Sequence, residues 1–268
     1  MTGDGTATPR EQILFLARAE SRIRILEGLS ETESATQSEL RTRINASRTT
    51  VSRALKSLTE KGWVEKFDGS YRLTRIGQRI AVEFGRMFDE IEKVDELAEF
   101  LRLFPTDIES PDFVNASDLE VTYSTESEPY APARRQTQIL STAERLRMLL
   151  PAIDLESTEV IAEQVTERGL EAETVVSPGV ESTMESEEFA PVMKEKIRTG
   201  RSPVFVSQDS VPFYLGLTDD GRVQVGLADD DGLPRALLET TDESVREWAE
   251  GMYQEFRTQA ERKPATAF

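Results

Sequence analysis

The stretch NASRTTVSRALKSLTEKGWV, residues 45–64, has the pattern of a helix with two unlike faces. Its apolar residues recur at helical spacing and predict a buried face: Val51, Ala54, Leu55 and Leu58. The opposite side carries hydroxyl and basic side chains: Arg48, Thr49, Ser52, Arg53 and Lys56. Ser47 can cap the first turn, and Gly62 lies where a helix end favours a left-handed residue. The stretch therefore predicts a helix that packs with one face and presents hydrogen-bond donors with the other.

The elements on either side predict a winged helix. Residues 13–29, ILFLARAESRIRILEGL, repeat apolar residues at helical spacing and predict one helix. Thr36 and Glu39 have capping-box spacing, which predicts a short helix over residues 37–44. Only the turn NAS separates this helix from the next, so the pair predicts a helix-turn-helix. Asp68–Gly69 then joins two runs rich in aromatic and β-branched residues, which is a strong hairpin signal.

Charge is distributed unevenly along the chain. Residues 10–86 carry a net charge of +5, whereas residues 87–268 carry −22. This asymmetry indicates a polyanion partner for the basic half, and a winged helix suits double-stranded DNA. The predicted DNA-contact residues are Gln37, Ser38, Ser47, Arg48, Thr49, Thr50, Ser52, Arg53, Lys56, Lys66, Tyr71 and Arg72. The alternatives are a solvated helix face and a winged helix used for protein contacts.

The composition excludes much enzyme chemistry. The 268 residues include no Cys and no His, which removes disulfides, thiolate sites and the commonest general base. The net charge is −18, and only 7 of the 32 basic residues are Lys, a composition that resembles proteins of salt-accumulating haloarchaea. No signal peptide or membrane-spanning run is found, so we expect a cytoplasmic protein without membrane contact. The sequence indicates no cofactor, no metal and no catalytic residue.

A long apolar stripe follows the hairpin. Residues 75–104 predict one helix, which Pro105 ends. Its apolar side consists of Ile76, Ile80, Phe84, Met87, Ile91, Val94, Leu97, Leu101 and Phe104. The stripe is too long for a small winged helix to cover, so it predicts contact with the C-terminal domain or with a second subunit. Homodimerisation suits a two-fold DNA site, and packing within one chain remains the alternative.

The second half alternates strand and helix signals and predicts an α/β domain with a mixed sheet that begins near residue 112. Strands are expected over residues 119–124, 170–178, 203–208, 212–218, 222–228 and 234–240. Helices are expected over residues 132–150, 157–169, 186–200 and 242–259. The DDG runs at 219–221 and 230–232 are interpreted as turns.

Two segments of this half could hold a small anion. VVSPGV, residues 175–180, ends a strand before a helix, a place where open α/β sheets bind ligands. EPYAPARR, residues 128–135, places cations in an acidic region. The candidate effector-binding residues in these segments are Tyr130, Arg134, Ser177 and Gly179. An ordinary strand-to-helix turn and surface ion pairs explain the same residues without a ligand.

The chain resembles a known type of regulator. Residues 22–64 with the DG wing and YRLTRIG are similar to the winged helix of haloarchaeal transcriptional regulators. EPYAPARR, VVSPGV, PFYLGL and the segment from DDDGLPRALLETTDESV onward resemble the methanogenesis-regulator middle domain, related to TrmB sugar-responsive regulators. The resemblance implies a phospholipase D-like fold, but the His of that fold's catalytic motif is absent here. It therefore implies a non-catalytic sensor or dimerisation domain. It also implies Tyr214, in PFYLGL, as a further candidate effector-binding residue.

These observations predict an α+β protein in four parts. They are a disordered tail over residues 1–9, a winged helix-turn-helix over 10–74, a connecting and dimerisation helix over 75–111, and an α/β effector-sensing domain over 112–268. The predicted function is a dimeric DNA-binding transcriptional regulator of a halophilic archaeon, controlled by an anionic or sugar-related effector. The competing classes are a winged-helix interaction scaffold and an enzyme that works without His or Cys. No acidic pair or activated nucleophile stands out for the enzyme.

Overall fold

The computed structural model describes residues 8–140 and 142–267. The chain divides into an N-terminal unit, Met1–Lys93, and a C-terminal unit, Val94–Phe268. Residues 1–7 of the expected disordered tail lie outside the described residues. Of the rest of that tail, Thr8 caps the first helix and Pro9 begins it. The other expected boundaries, at residues 74 and 111, stay a prediction.

The N-terminal unit is a winged helix. Its described elements are α1 (Pro9–Ala17), α2 (Glu20–Ser30), α3 (Gln37–Arg43), α4 (Arg48–Glu60), β1 (Val64–Phe67), β2 (Ser70–Leu73) and the first part of α5 (Arg75–Leu103). The apolar face of α4 packs with α2, α3 and α5 around Ile25, Leu40, Leu55 and Phe84. The expected fold class is confirmed for this half of the chain.

The prediction of one helix over residues 13–29 is wrong. The chain leaves helical geometry at Ala19, where φ is −149°, and a second helix begins at Glu20. Arg22 stabilises the break, because its guanidinium donates a hydrogen bond to the carbonyl of Phe15 near the end of α1. The same guanidinium lies over the Phe15 ring, 4.0 Å from its centroid. Apolar periodicity continues through the break, so periodicity alone does not reveal it.

The local signals around α3, α4 and the wing are confirmed. Thr36 and Glu39 form a capping box at α3, and the Ser47 hydroxyl accepts a hydrogen bond from the Thr50 amide at 3.1 Å. Asp68 and Gly69 both have positive φ, 47° and 80°, as a two-residue hairpin turn with the twist of its strands requires.

The C-terminal unit is built on a mixed sheet. Its described strands are β3 (Glu120–Tyr123), β4 (Arg145–Leu150), β5 (Glu171–Val176), β6 (Val204–Val206), β7 (Tyr214–Thr218), β8 (Val223–Ala228), β9 (Pro234–Thr240) and β10 (Glu261–Lys263). They are ordered β10-β6-β5-β4-β7-β8-β9-β3. β4, β5 and β6 run parallel to one another, and the other neighbours are antiparallel. The expected mixed sheet is confirmed.

Helices cover both faces of this sheet. They are α6 (Ala131–Leu140), α7 (Leu155–Glu163), α8 (Val180–Met184), α9 (Ala190–Arg198) and α10 (Glu243–Gln259). The first face packs against α10 and the end of α5 in an apolar core that includes Leu149, Leu215, Leu238 and Phe100. Side chains alternate along a strand, so Met148, Tyr214 and Leu237 belong to the second face. The helices α6 to α9 lie on that second face.

The helix expected over residues 132–150 is wrong in its second half. A helix ends at Leu140, and residues 145–150 form β4 between β5 and β7. RLRMLL has no breaker before it and fits either period, so its partners decide the structure. Leu146, Met148 and Leu149 are at most 1% exposed because neighbouring strands flank β4 on both sides. The short edge strand β10 was not predicted.

Asp242 ties α10 to the turn at Ser117. Its carboxylate accepts hydrogen bonds from the backbone amides of Ser117 and Ser244, both at 2.9 Å, and these bonds hold its pKa well below the usual range. A lowered carboxyl pKa contributes stability above the unfolded-state pKa that is lost as the pH falls through the folded-state pKa. We therefore expect Asp242→Asn to lower the melting temperature at pH 7, and the deficit to shrink below about pH 4. Asp230→Asn, the same charge change at an exposed turn, should show no such pH-dependent deficit.

Within the part of the chain that the structure describes, no helix is long and apolar enough to cross a membrane.

Candidate nucleic-acid interface

Helix α4 is anchored by one face only. Val51, Ala54, Leu55 and Leu58 are at most 4% exposed and belong to the winged-helix core. Residues half a turn away point outward because the helix has 3.6 residues per turn. The buried apolar face thus fixes the orientation of α4, and the side chains of the polar face are not needed for packing.

The polar face of α4 is open. Arg48, Thr49, Ser52, Arg53 and Lys56 are all exposed. No ion pair is found for Arg48 or Arg53 among the described residues, whereas Lys56 approaches Glu60 at 3.9 Å. An exposed ion pair at that distance contributes little to stability, so Lys56 can exchange Glu60 for another anion. Two free guanidiniums with neighbouring hydroxyls suit bidentate contacts to phosphates or to guanine edges.

Several other predicted DNA-contact residues make local bonds. Ser47 and Thr50 bond one another through their hydroxyls at 2.8 Å, so Ser47 serves first as the cap of α4. Gln37 donates from its side chain to the Arg48 carbonyl at 3.4 Å. Ser38 is exposed on α3. These residues lie beside the N-terminus of α4, where backbone amides also favour an anion.

The wing places its three predicted residues differently. Lys66 is exposed near the tip, while Tyr71 is partly buried against the winged-helix core. Arg72 donates from Nε to Glu65 at 2.7 Å, and its guanidinium carbon lies 4.1 Å from the centroid of the Phe67 ring. Arg72 is therefore held within the wing, unlike the guanidiniums of α4. Phe67 was not among the predicted site residues.

The predicted effector residues do not form one site. Tyr130 lines a groove with Leu233 and Arg235 beside β9, and Arg134 pairs with Glu128 at 3.3 Å. Ser177 follows β5, four strand spacings or about 19 Å from β9. Its hydroxyl accepts a hydrogen bond from the Val211 amide at 2.8 Å. Gly179 lies in the next turn, at the start of α8.

Tyr214 lies inside the second face of the sheet. Its hydroxyl donates to Gln224 Oε1 at 2.9 Å, and burial raises its pKa. A Cβ at Gly216 would lie 3.0 Å from Tyr214 Cζ, and one at Gly226 3.0 Å from Tyr214 Cδ1. The absence of side chains at these two glycines makes room for the ring. Glycine usually weakens a strand, and this space explains why two glycines occur in β7 and β8.

Two buried polar residues beside Tyr214 were not predicted. Gln224 and Glu239 are cross-strand partners on β8 and β9 and are at most 1% exposed. Arg135 donates to Glu239 Oε2 at 2.6 Å, and Arg222 lies 3.6 Å from Oε1. Among the described residues, neither Gln224 Nε2 nor Glu239 Oε1 has a hydrogen-bond partner. An unpartnered buried polar group costs free energy, which marks this position as a candidate binding site.

Two family models match the chain. A model described as the HVO_A0261 N-terminal domain matches residues 10–96, which include the winged helix. A model of the middle domain of FilR1, a methanogenesis regulatory protein, matches residues 129–259. Together the two matches include most of the chain. No curated protein matches it.

Solved structures are similar at low sequence identity. TrmBL2, an archaeal chromatin protein with a novel mode of DNA binding, matches over 95% of this chain and 99% of its own, at 17% identity and a TM-score of 0.40. Nuc of Salmonella typhimurium, a phospholipase D family member, matches over 55% of this chain and 99% of its own, at 13% identity and a TM-score of 0.43. A MarR/EmrR family regulator of Acinetobacter sp. ADP1 matches over 37% of this chain and 83% of its own, at 22% identity and a TM-score of 0.26.

The assignment to a regulator rests on the two family models, because they match the N-terminal and C-terminal parts of the chain in the expected order. The winged helix with its open basic face and the mixed sheet agree with that order. The chain therefore joins a match to the HVO_A0261 N-terminal domain with a match to the middle domain of FilR1, a methanogenesis regulatory protein, and this combination supports a DNA-binding transcriptional regulator.

Proposed function

We propose that the chain is a sequence-specific, dimeric regulator of a halophilic archaeon whose α4 reads the major groove. The observation that carries this proposal is the pair Arg48 and Arg53. Both are exposed and make no ion pair with any described residue, on a helix whose other face is buried. The rest of the chain is acidic and the wing has as many acidic as basic residues, so the polar face of α4 supplies the positive charge that suits DNA.

Binding to duplex DNA in molar KCl tests the proposal. Ordinary protein–DNA affinity falls about 10³–10⁵-fold between 50 and 200 mM salt for 6–10 phosphate contacts. An acidic chain that works in molar salt cannot depend on counterion release, so we expect a shallow or inverted slope. Fluorescence anisotropy with a duplex from the chain's own upstream region, measured across KCl concentrations, would show it. A steep conventional loss would contradict the adaptation to salt, and no sequence preference would contradict specific reading.

We propose that α5 pairs two subunits. Phe88, Ile91 and Val94 recur every three residues on α5, and each is between 43% and 52% exposed. Spacing of three or four residues places side chains on one helix face, and an exposed apolar stripe of this kind suits a second copy of the same helix. Two copies would present two α4 helices to a two-fold DNA site.

Ile91→Glu should therefore convert the dimer to a monomer and weaken operator binding. The buried glutamates of two subunits would face one another across the interface, where unpaired charges are costly. Light scattering coupled to gel filtration in molar KCl measures the mass. Val82→Glu is the matched control, because Val82 is 45% exposed and lies nine residues earlier, on the opposite side of α5. If both variants stay dimeric, the interface lies elsewhere.

We further propose that a small effector binds the second face of the sheet and changes DNA affinity. Support comes from Gln224 Nε2 and Glu239 Oε1, which are buried beside the Tyr214 ring and make no hydrogen bond to any described residue, although Arg222 lies 3.6 Å from Oε1. A ligand shifts DNA affinity only if it binds the conformations with high and low DNA affinity unequally. Gln224 and Glu239 must therefore form hydrogen bonds with the ligand in one of these conformations more than in the other. The predicted ligands remain sugar-related or anionic metabolites.

A thermal-shift screen of central-carbon metabolites on the full chain should find a compound that raises the melting temperature and alters operator affinity. Gln224→Met keeps the side-chain volume and removes the amide, so it should abolish the ligand-induced shift. Thr174→Val is the control, because it removes another unpartnered buried polar group in the same sheet, three strand spacings or about 14 Å from Gln224. Equal shifts in both variants would remove Gln224 from the site.

A further inference from the structure

The tip of the wing carries an exposed aromatic ring. Phe67 is the last residue of β1, immediately before the Asp68–Gly69 turn, and is 54% exposed. Val64 and Leu73, which pair across the hairpin, are buried in the winged-helix core. Because side chains alternate along a strand, Phe67 lies on the opposite side of the hairpin from Val64. The fold therefore gains little burial from this ring.

Arg72 holds the Phe67 ring in place. The guanidinium carbon lies 4.1 Å from the ring centroid, and Nε donates to Glu65 Oε1 at 2.7 Å. Glu65 and Arg72 are cross-strand partners, so the carboxylate fixes the guanidinium and the guanidinium fixes the ring. Arginine stacks on aromatic faces through its planar charge. Glu65 and Arg72 thus hold the apolar Phe67 ring in one position at the tip of the wing.

The wing is joined to the candidate DNA-contact surface. It follows α4 after one residue with left-handed backbone geometry, Gly62. On its other strand, Tyr71 exchanges backbone hydrogen bonds with Ala35, two residues before Gln37. Gln37 in turn reaches the carbonyl of Arg48 on α4. A hairpin joined to α4 in this way can reach the minor groove beside a major groove that α4 occupies.

We propose that Phe67 inserts into the minor groove of the bound duplex and partly unstacks one base step, with Arg72 as its positioning residue. The proposal rests on the DNA binding by α4 proposed above. Apolar wedges of this type unstack base steps and bend the duplex. Duplex DNA is the partner that the position of the wing favours, because the hairpin follows α4 directly and is tied to the start of α4 through Tyr71, Ala35 and Gln37.

The molar salt of the habitat proposed above favours an apolar contact with DNA over an ionic one. Molar salt reduces the Debye length to about 3 Å or less and screens exposed charge pairs, while burial of an apolar ring is not weakened by screening. Asp68 lies next to the ring and would face phosphates unfavourably. An apolar anchor at the wing thus supplies affinity that phosphate contacts cannot supply in such a solvent.

The test uses the full chain and a duplex that the unaltered chain has enriched from a random-sequence pool in molar KCl. 2-Aminopurine is placed in turn at each adenine flanking the α4 contact, since its fluorescence rises when it is unstacked. We expect one bright step with the unaltered chain. Phe67→Ala should lose that signal and bind about tenfold more weakly, by a similar factor at every KCl concentration. Phe67→Leu should keep part of both, because leucine also serves as a wedge.

Arg72→Gln tests the positioning role. It should lower the signal at the same base step and reduce affinity less than Phe67→Ala, with an unchanged melting temperature. A dark 2-aminopurine at every position, or equal affinity of Phe67→Ala and the unaltered chain, would overturn the insertion. If Arg48→Ala/Arg53→Ala weakens binding in that case, DNA binding by α4 stands without the wedge. If the unaltered chain enriches no duplex, the proposed function and the wedge fall together.

Discussion

Gly77→Ala should destabilise the N-terminal unit by about 3 kcal/mol or more, although alanine is the better helix former. A Cβ at Gly77 would lie 2.7 Å from the carbonyl carbon of Trp63, and closer still to its oxygen. That oxygen accepts a hydrogen bond from the Thr74 amide at 3.0 Å, and the Thr74 hydroxyl caps α5 by accepting from the Gly77 amide at 3.0 Å. Neither backbone segment can move away without breaking the start of α5 or the wing.

The measurement can be confined to this unit. The chain has two tryptophans, Trp63 in the winged helix and Trp248 on α10, so Trp248→Phe leaves Trp63 as the reporter. Urea unfolding in molar KCl, followed by Trp63 fluorescence, gives the change in free energy. Gly85→Ala is the matched control in the same helix, because nothing lies within 4 Å of its added Cβ.

We expect Gly85→Ala to stabilise the chain by about 0.5–1 kcal/mol, through lower backbone entropy in the unfolded state. The two glycines thus predict effects of opposite sign from the same substitution. If Gly77→Ala also stabilises the unit, the close approach of α5 to the Trp63 carbonyl is not present in solution.

The winged helix was predictable because its signals are local. The two faces of α4, the cap at Ser47 and the Asp68–Gly69 turn each occupy a few consecutive residues, and each fixes its own geometry. These signals also agree with one another, since cap, apolar face and turn all place the same helix against the same core. The open polar face of α4 followed from the same pattern.

The errors occur where distant residues decide the structure. β4 is a strand because β5 and β7 flank it, and β7 lies about 70 residues along the chain. Gln224 and Glu239 become neighbours only through the register of β8 and β9. No spacing in the sequence distinguishes them from other polar residues near strands. A signal that could have found them is a polar residue inside an apolar strand pattern, as in VQVGLA and RALLET.

The same reasoning explains the scattered effector residues. Tyr130 and Ser177 were grouped because each follows a predicted strand, but strand order along the chain is not strand order in the sheet. Tyr214 was selected from the resemblance of PFYLGL to the regulator domain, and it is 6% exposed, over two glycines. Its neighbours Gln224 and Glu239 therefore replace Ser177 and Gly179 as the first residues to test.

Arg48→Ala/Arg53→Ala should reduce operator affinity by about 10²–10³-fold. Each bidentate contact to a base edge contributes about 1–3 kcal/mol, and each tenfold change in affinity corresponds to about 1.4 kcal/mol. Both side chains are exposed and make no ion pair among the described residues, so the double variant should fold normally. Anisotropy with the enriched duplex in molar KCl measures the affinity, and the melting temperature verifies the fold.

Two further variants decide what the guanidiniums do. Arg10→Ala/Arg79→Ala makes the same change in net charge on α1 and α5, where both side chains are exposed. It should leave operator affinity within about twofold if location rather than charge matters. Arg48→Lys/Arg53→Lys keeps the charge and loses the planar fork, so it should retain binding to unrelated duplexes while losing preference for the enriched one. Equal loss in the α4 and control pairs would show that α4 acts through net charge alone, and the assignment of a base-reading helix would then be wrong.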